Sequence, residues 1–159
     1  MKEILVTMAT ESAARSGRTL DYLKTKLGDV TLAPVMELIG FRLTEIEEGS
    51  ATVEFTAGPQ HGNPMGTLHG GILCDIADAA MGLAYASTLA EGESFTTLEL
   101  KINFLKPIWN SKLIARGRVA KGGRTVGLTE CDVLDDQGSL VARASSTCMT
   151  LRGGAAVGR

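Results

Sequence analysis

The sequence predicts an α+β domain in which an antiparallel six-stranded sheet wraps one long central helix. Three observations predict it. The segment from Gly71 to Leu89 is apolar nearly all round, as expected of a helix covered on both sides. From Gly92 to the tail everything reads as β, in long runs separated by turns, with Lys112–Ala120 alternating at period two. No parallel strand–helix–strand unit follows the helix, so the strands pair as hairpins.

Thr19–Leu27 carries Leu20, Leu23 and Leu27 at helical spacing, and predicts a short amphipathic helix. Pro34 opens a second short helix, Val35–Ile39, which Gly40 closes. Phe41–Glu47 and Ala51–Thr56 alternate around Glu48-Gly49-Ser50 as a β-hairpin. Gly58 to Gly66 holds Gly, Pro, Asn and His without periodicity and reads as a loop. On the long helix, Ile72, Leu73, Ile76, Ala77, Ala80, Leu83 and Ala84 share a broad face assigned to the sheet. Cys74, Met81 and Tyr85 fall on the other side, beside Asp75, Asp78 and Gly82. Four strands follow: Phe95–Leu105, Lys112–Ala120, Thr125–Leu134 and Leu140–Leu151, with turns at Lys121–Arg124 and Asp135–Gly138. The expected divisions are an N-terminal extension with a short helix (1–33), the sheet-and-helix domain (34–152) and a disordered tail (153–159). The second apolar side of the helix has no partner within the chain, which points to a second copy over it.

Bulk composition narrows the classes. The 159 residues favour one domain with a real core. A net charge of −2 gives no footprint for nucleic acid, although Arg116, Arg118, Lys121 and Arg124 gather locally. The longest apolar stretch is interrupted by Asp75 and Asp78 and does not read as a membrane span, and Met1–Thr10 lacks the pattern of a signal peptide. The three cysteines (Cys74, Cys131, Cys148) form no C-x-x-C pair. They read as small buried hydrophobes in a reducing compartment, so a cytoplasmic location is expected.

The chemistry concentrates in Asn63-Pro-Met-Gly-Thr-Leu-His69-Gly70-Gly71 and the helix that follows. A helix N-terminus offers unpaired N–H groups and a partial positive charge. Without side chains, Gly70 and Gly71 let a ligand oxygen approach those groups closely. Asn63 either donates its amide to the same oxygen or closes an Asx-turn before Pro64. Asp78, two turns into the helix beside Met81, Tyr85 and Cys74, is expected to be poorly solvated and so a stronger base. Asp75 either shares the site as a second carboxylate or simply favours the positive helix end, the second reading being preferred. With only two histidines and no ligand cluster, metal is not expected; His69 is read as fixing the loop and His61 as a loop residue near the mouth. Neither dinucleotide nor phosphate-loop glycine spacing is present, nor a G-x-S-x-G elbow.

Asn63-x-x-Gly-Thr-Leu-His69-Gly70-Gly71, then Asp78, then a β-run ending Asn103-Phe-Leu-Lys-Pro107, resembles the hotdog-fold acyl-CoA thioesterases, in particular the phenylacetate-degradation (PaaI-type) branch. The resemblance covers roughly residues 34–151. It implies that Gly70 N–H, helped by Asn63, polarises a thioester carbonyl. Asp78 would activate water or attack directly, and His69 would support the loop. Thr97, or its neighbour Thr96, would supply a hydroxyl from the neighbouring subunit's strand. Gly71 and Met81 are placed with the substrate, and Lys121 and Arg124 are candidates for the coenzyme A phosphates. It also implies a dimer, usually paired into a tetramer, and no cofactor beyond the coenzyme A of the substrate. Two other readings stay open: a hotdog dehydratase or hydratase, and a non-catalytic acyl-CoA-binding protein.

Overall fold

A computed structural model describes residues 19–157. The first eighteen residues of the expected N-terminal extension, the segment read against a signal peptide, and the last two residues of the tail lie outside the described residues.

Residues 19–24 are helical (α1). Leu23 is buried in the core, and Gly28 N–H donates to Leu43 O, tying this segment to the sheet. A 3₁₀ turn over Val30–Leu32 leads to α2 (Pro34–Ile39). Pro34 supplies the first-turn φ without needing a partner, and Gly40 ends the helix at φ 88°, a left-handed conformation that suits glycine. Then come β1 (Phe41–Glu47), β2 (Ser50–Ala57), a 3₁₀ turn at Pro59–His61, α3 (Gly70–Ala86), β3 (Ser94–Phe104), β4 (Ser111–Lys121), β5 (Val126–Asp135) and β6 (Leu140–Leu151). The tail expected to be disordered forms a 3₁₀ turn over Gly153–Ala156.

The six strands form one antiparallel sheet in the order β1-β2-β4-β5-β6-β3. The expected α+β class holds: α3 lies across the sheet, mainly on β4, β2 and β5. It buries Leu73, Ile76, Ala77, Ala80, Met81, Ala84 and Tyr85 against it, the large members worth about 1.5–3 kcal/mol each. The expected faces need correction. Met81 and Tyr85 point into the sheet side, whereas Leu83 lies on the open side with Asp75, Asp78 and Gly82.

Two glycines on the sheet explain that orientation. A Cβ at Gly117 on β4 would lie 2.3 Å from Ala80 O, and one at Gly127 on β5 would lie 2.5 Å from the Tyr85 ring. The helix therefore touches the sheet backbone at these positions, and Tyr85 fits over the second. Its hydroxyl meets Thr150 Oγ1 at 2.8 Å and its ring packs edge-on against Phe95 at 5.5 Å. At the far end of α3, buried Ser87 accepts from Gly49 N–H at 2.8 Å and donates to Ala84 O at 2.7 Å, pinning the β1–β2 turn to the helix.

On the outer face, cross-strand pairs satisfy several charges. Arg143 grips Asp132 with two hydrogen bonds, and Arg118 pairs with Glu130. Among the described residues no helix is long and apolar enough to cross a membrane.

Candidate active site

The loop before α3 is held by its own polar groups. Asn63 Oδ1 accepts from Met65 N–H at 2.9 Å and Thr67 N–H at 3.2 Å, while Asn63 Nδ2 donates to Thr67 Oγ1 at 2.8 Å. This is the loop-closing alternative for Asn63; the amide still carries a second hydrogen. Leu68 N–H donates to Ile108 O and His69 N–H to His61 O, anchoring both ends. The His61 ring stacks edge-on against Phe55 and its Nδ1 accepts from Gly58 N–H at 3.1 Å, so His61 is committed to the loop.

His69 is the N-cap of α3. Its Nδ1 accepts from Gly71 N–H at 2.9 Å, which satisfies one of the four orphan donors of the helix start. Two expectations separate here. The role of His69 in fixing the loop has a visible basis, whereas Gly71 N–H is spent on His69 and is not free to meet a substrate oxygen. A Cβ at Gly71 would also collide with the imidazole at 2.8 Å. Gly70 N–H, one position earlier, has no acceptor within its own helix. The Phe104 ring packs over Gly70, where a Cβ would lie 3.1 Å from it. Gly70, Asn63, Phe104 and Ile108 line a cleft of about 450 Å³.

A second cluster lies further along α3. Thr97 Oγ1 donates to Asp78 Oδ1 at 3.2 Å. The pairing of β3 with β6 slips by one residue between Thr97 and Glu99, a bulge that leaves Leu98 unpaired and outward, 53% exposed. Bulges re-aim side chains in this way. Phe95 and Thr97 therefore face the helix and Thr96 points to the opposite side of the strand. Thr97 thus meets the Asp78 of its own chain, where the resemblance implied a hydroxyl from a neighbouring subunit's strand.

Asp78 itself is exposed in the single chain, contrary to the poor solvation expected of it. The reason is the turned helix: the flanking Met81 and Tyr85 are drawn into the sheet and leave the carboxylate on the uncovered side. Asp75, one turn earlier in the same cleft, is the partly buried carboxyl. Burial and then the Asp78 charge push its pKa up, with His69 pulling the other way. Burial, reinforced by Asp75 and Asp78, likewise raises the Cys74 thiol. Burial raises Cys148, which pairs in register with Thr97. These thiols stay protonated and make poor nucleophiles.

The remaining expectations fall outside both clefts. Met81 is fully buried in the core under the helix and lines neither cleft. Lys121 and Arg124 are exposed at the β4–β5 turn and line neither the Asp78 nor the Gly70 cleft. That turn borders Val126, which sits level with Thr96 across β6. The partner of Asn63, Thr67, was not singled out from sequence; its place four residues on, within a loop closed by an Asx residue, was the available signal.

A protein of Saccharolobus solfataricus provisionally named an esterase is 33% identical over 118 residues, covering 74% of this chain and 84% of its own. The profile of the thioesterase superfamily matches residues 65–142, a span that includes Gly70, Asp78 and Thr97. The chain belongs to the thioesterase superfamily. As a thioester hydrolase it has further kin. A medium/long-chain acyl-CoA thioesterase of Salmonella typhimurium is 24% identical over 131 residues, covering 73% of this thioesterase and 84% of its own chain. The Escherichia coli PaaI protein of the phenylacetic acid degradation operon shares the fold with a TM-score of 0.74 at 22% identity, covering 87% of this thioesterase and 94% of that chain. The hotdog architecture predicted from the loop-and-helix motif is thus the observed one.

Proposed function

We propose that this thioesterase hydrolyses acyl-coenzyme A to a free acid and coenzyme A, at a site completed by two copies of the chain. The observation that carries the reading is the Thr97–Asp78 hydrogen bond on the open face of the same helix whose N-terminus presents Gly70 N–H. Eight residues separate Gly70 from Asp78, about 12 Å along the axis at 1.5 Å per residue. One carbonyl group cannot touch both in a single chain. A twofold partner laid over the open face brings Asp78 and Thr97 of one copy to Gly70 and Asn63 of the other. The β3 edge supports such a partner, since among the described residues it pairs with β6 alone and it exposes Leu98 and Phe104.

In this arrangement Gly70 N–H, at the positive helix end, and the second N–H of Asn63 Nδ2 hold the carbonyl oxygen and stabilise the oxyanion. Thr97 and the Asp78 carboxylate hold a water. Asp78 takes its proton as the water oxygen bonds to the carbonyl carbon. Collapse breaks the C–S bond, and the proton passes to the departing thiolate. His69 keeps the helix start in shape through Gly71. Lys121 and Arg124, on their exposed turn, are the proposed contacts for the coenzyme A phosphates.

Thiol release from an acyl-CoA tests this. Asp78→Asn is expected to lower kcat by at least ~10²-fold while the protein stays folded. Near-wild-type turnover in that variant would remove Asp78 from the chemistry.

A further inference from the structure

The open face of α3 borders a cavity of about 320 Å³ that the catalytic groups do not fill. Its walls have a clear polarity. Among the described residues, Asp75, Asp78 and Thr97 are the only polar side chains that line it, and all three stand at one end. From there it runs along α3 past Gly82 to Ala86, beneath a roof of Leu32, Val35 and Met36 from the segment over residues 30–39. Asp78 and Ala86 are eight residues apart, about 12 Å along the helix.

We infer that this cavity is the acyl pocket, and that it selects a straight, unsubstituted aliphatic chain of medium length. The inference rests on the thioester-hydrolase reading and deepens it. The axial depth of about 12 Å sets the length, roughly eight to ten carbons of an extended chain. Beyond its mouth the wall built by the described residues offers no side-chain donor or acceptor, so a hydroxyl carried inward loses its water partners without replacement from them. An acyl group with a distal hydroxyl or charge is therefore discriminated against.

Gly82 sets the width. A Cβ there would lie 3.2 Å from the Phe95 ring, so a larger side chain either fills the passage or drives Phe95 into it. Chains long enough to pass Gly82 lose their space, whereas a short acyl group held near Asp78 does not reach it.

Thiol release by the purified full chain across butyryl-, octanoyl-, palmitoyl-, benzoyl- and 4-hydroxybenzoyl-CoA tests this. Octanoyl-CoA is expected to have the highest kcat/KM, and 4-hydroxybenzoyl-CoA to fall about 10- to 100-fold below benzoyl-CoA. Gly82→Val is expected to lower the octanoyl-to-butyryl ratio of kcat/KM by at least about tenfold. Val35→Trp, at a half-exposed rim position, should move the ratio the same way and decides the matter where Gly82→Val does not fold. An unchanged ratio in the folded variants, or equal use of the hydroxylated and plain aryl substrates, overturns the inference. If wild type hydrolyses none of the five, the hydrolase reading fails instead. Octanoyl-CoA binding by calorimetry then tests the cavity alone: affinity lost in Val35→Trp supports it, and equal affinity overturns it.

Discussion

Asp75 and Asp78 lie one turn apart in the same cleft, and Asp75 is the less solvated of the two. Its pKa is raised above the usual 3.8, by burial first and then by Asp78. Between 3.8 and that raised value the folded chain holds more protons than the unfolded one. Stability therefore falls as pH rises through this window, and the full cost is present above it. Asp75→Asn should remove the cost. The variant is expected to melt above wild type at pH 7, with the gap closing as pH drops toward 3.8. Melting curves across that range check it, and a pH-independent gap would exclude the charge as the cause. Sequence located both carboxylates but exchanged their surroundings. On a helix apolar nearly all round, the wheel has little direction of its own. Gly71 shows a related limit. Its spacing promised a free donor, and only the His69 rotamer reveals that the N–H is already taken.

Helix α3 gets its direction from the sheet. Gly117 and Gly127 admit the Ala80 backbone and the Tyr85 ring, and so decide that Met81 turns inward and Leu83 outward. Gly117→Ala is expected to lower the melting temperature by about 3–10 °C, as an overpacking cost of about 1–3 kcal/mol in a domain of this size. Gly122→Ala, where a Cβ meets nothing within 4 Å, is the control and should change little. A drop of equal size in both variants would exclude the helix contact as the cause. The strands were legible because alternation and glycine turns are local signals: β1 and β6 match their expected bounds, and the other four differ by a residue at their ends. The bulge at Leu98 was not legible. It is a mismatch between two distant strands, and neither strand encodes it alone.

For the molecule as a whole, the proposed site draws Asp78 and Thr97 from one copy and Gly70 and Asn63 from the other. Two defective chains should therefore repair each other. Coexpression of Asp78→Asn with Asn63→Ala gives mixed dimers in which one site carries both defects and the other carries neither. With random pairing, about one quarter of all sites are intact, so turnover should reach about a quarter of wild type. With Asn63→Ala alone expected to lose ~10-fold or more, that is at least about twofold above either variant alone. Activity equal to the mean of the two separate variants would mean that each chain works alone. The resemblance signalled a shared site, but the division of labour within it was not legible: Thr97 had been assigned to the other chain, and only the 3.2 Å contact joins it to its own Asp78.

The close approach of α3 to β4 at Gly117 seats the helix against the sheet backbone, and the helix itself sets the spacing of its two proposed functional ends. The stretch over residues 30–39 is held to the core through Met36, while Val35 stays half-exposed over the space beside the helix. The inferred pocket thus has one wall on the helix that carries Asp78 and a roof outside it, and exchanging the exposed roof positions, Val35 first, offers a way to retarget the enzyme without touching α3.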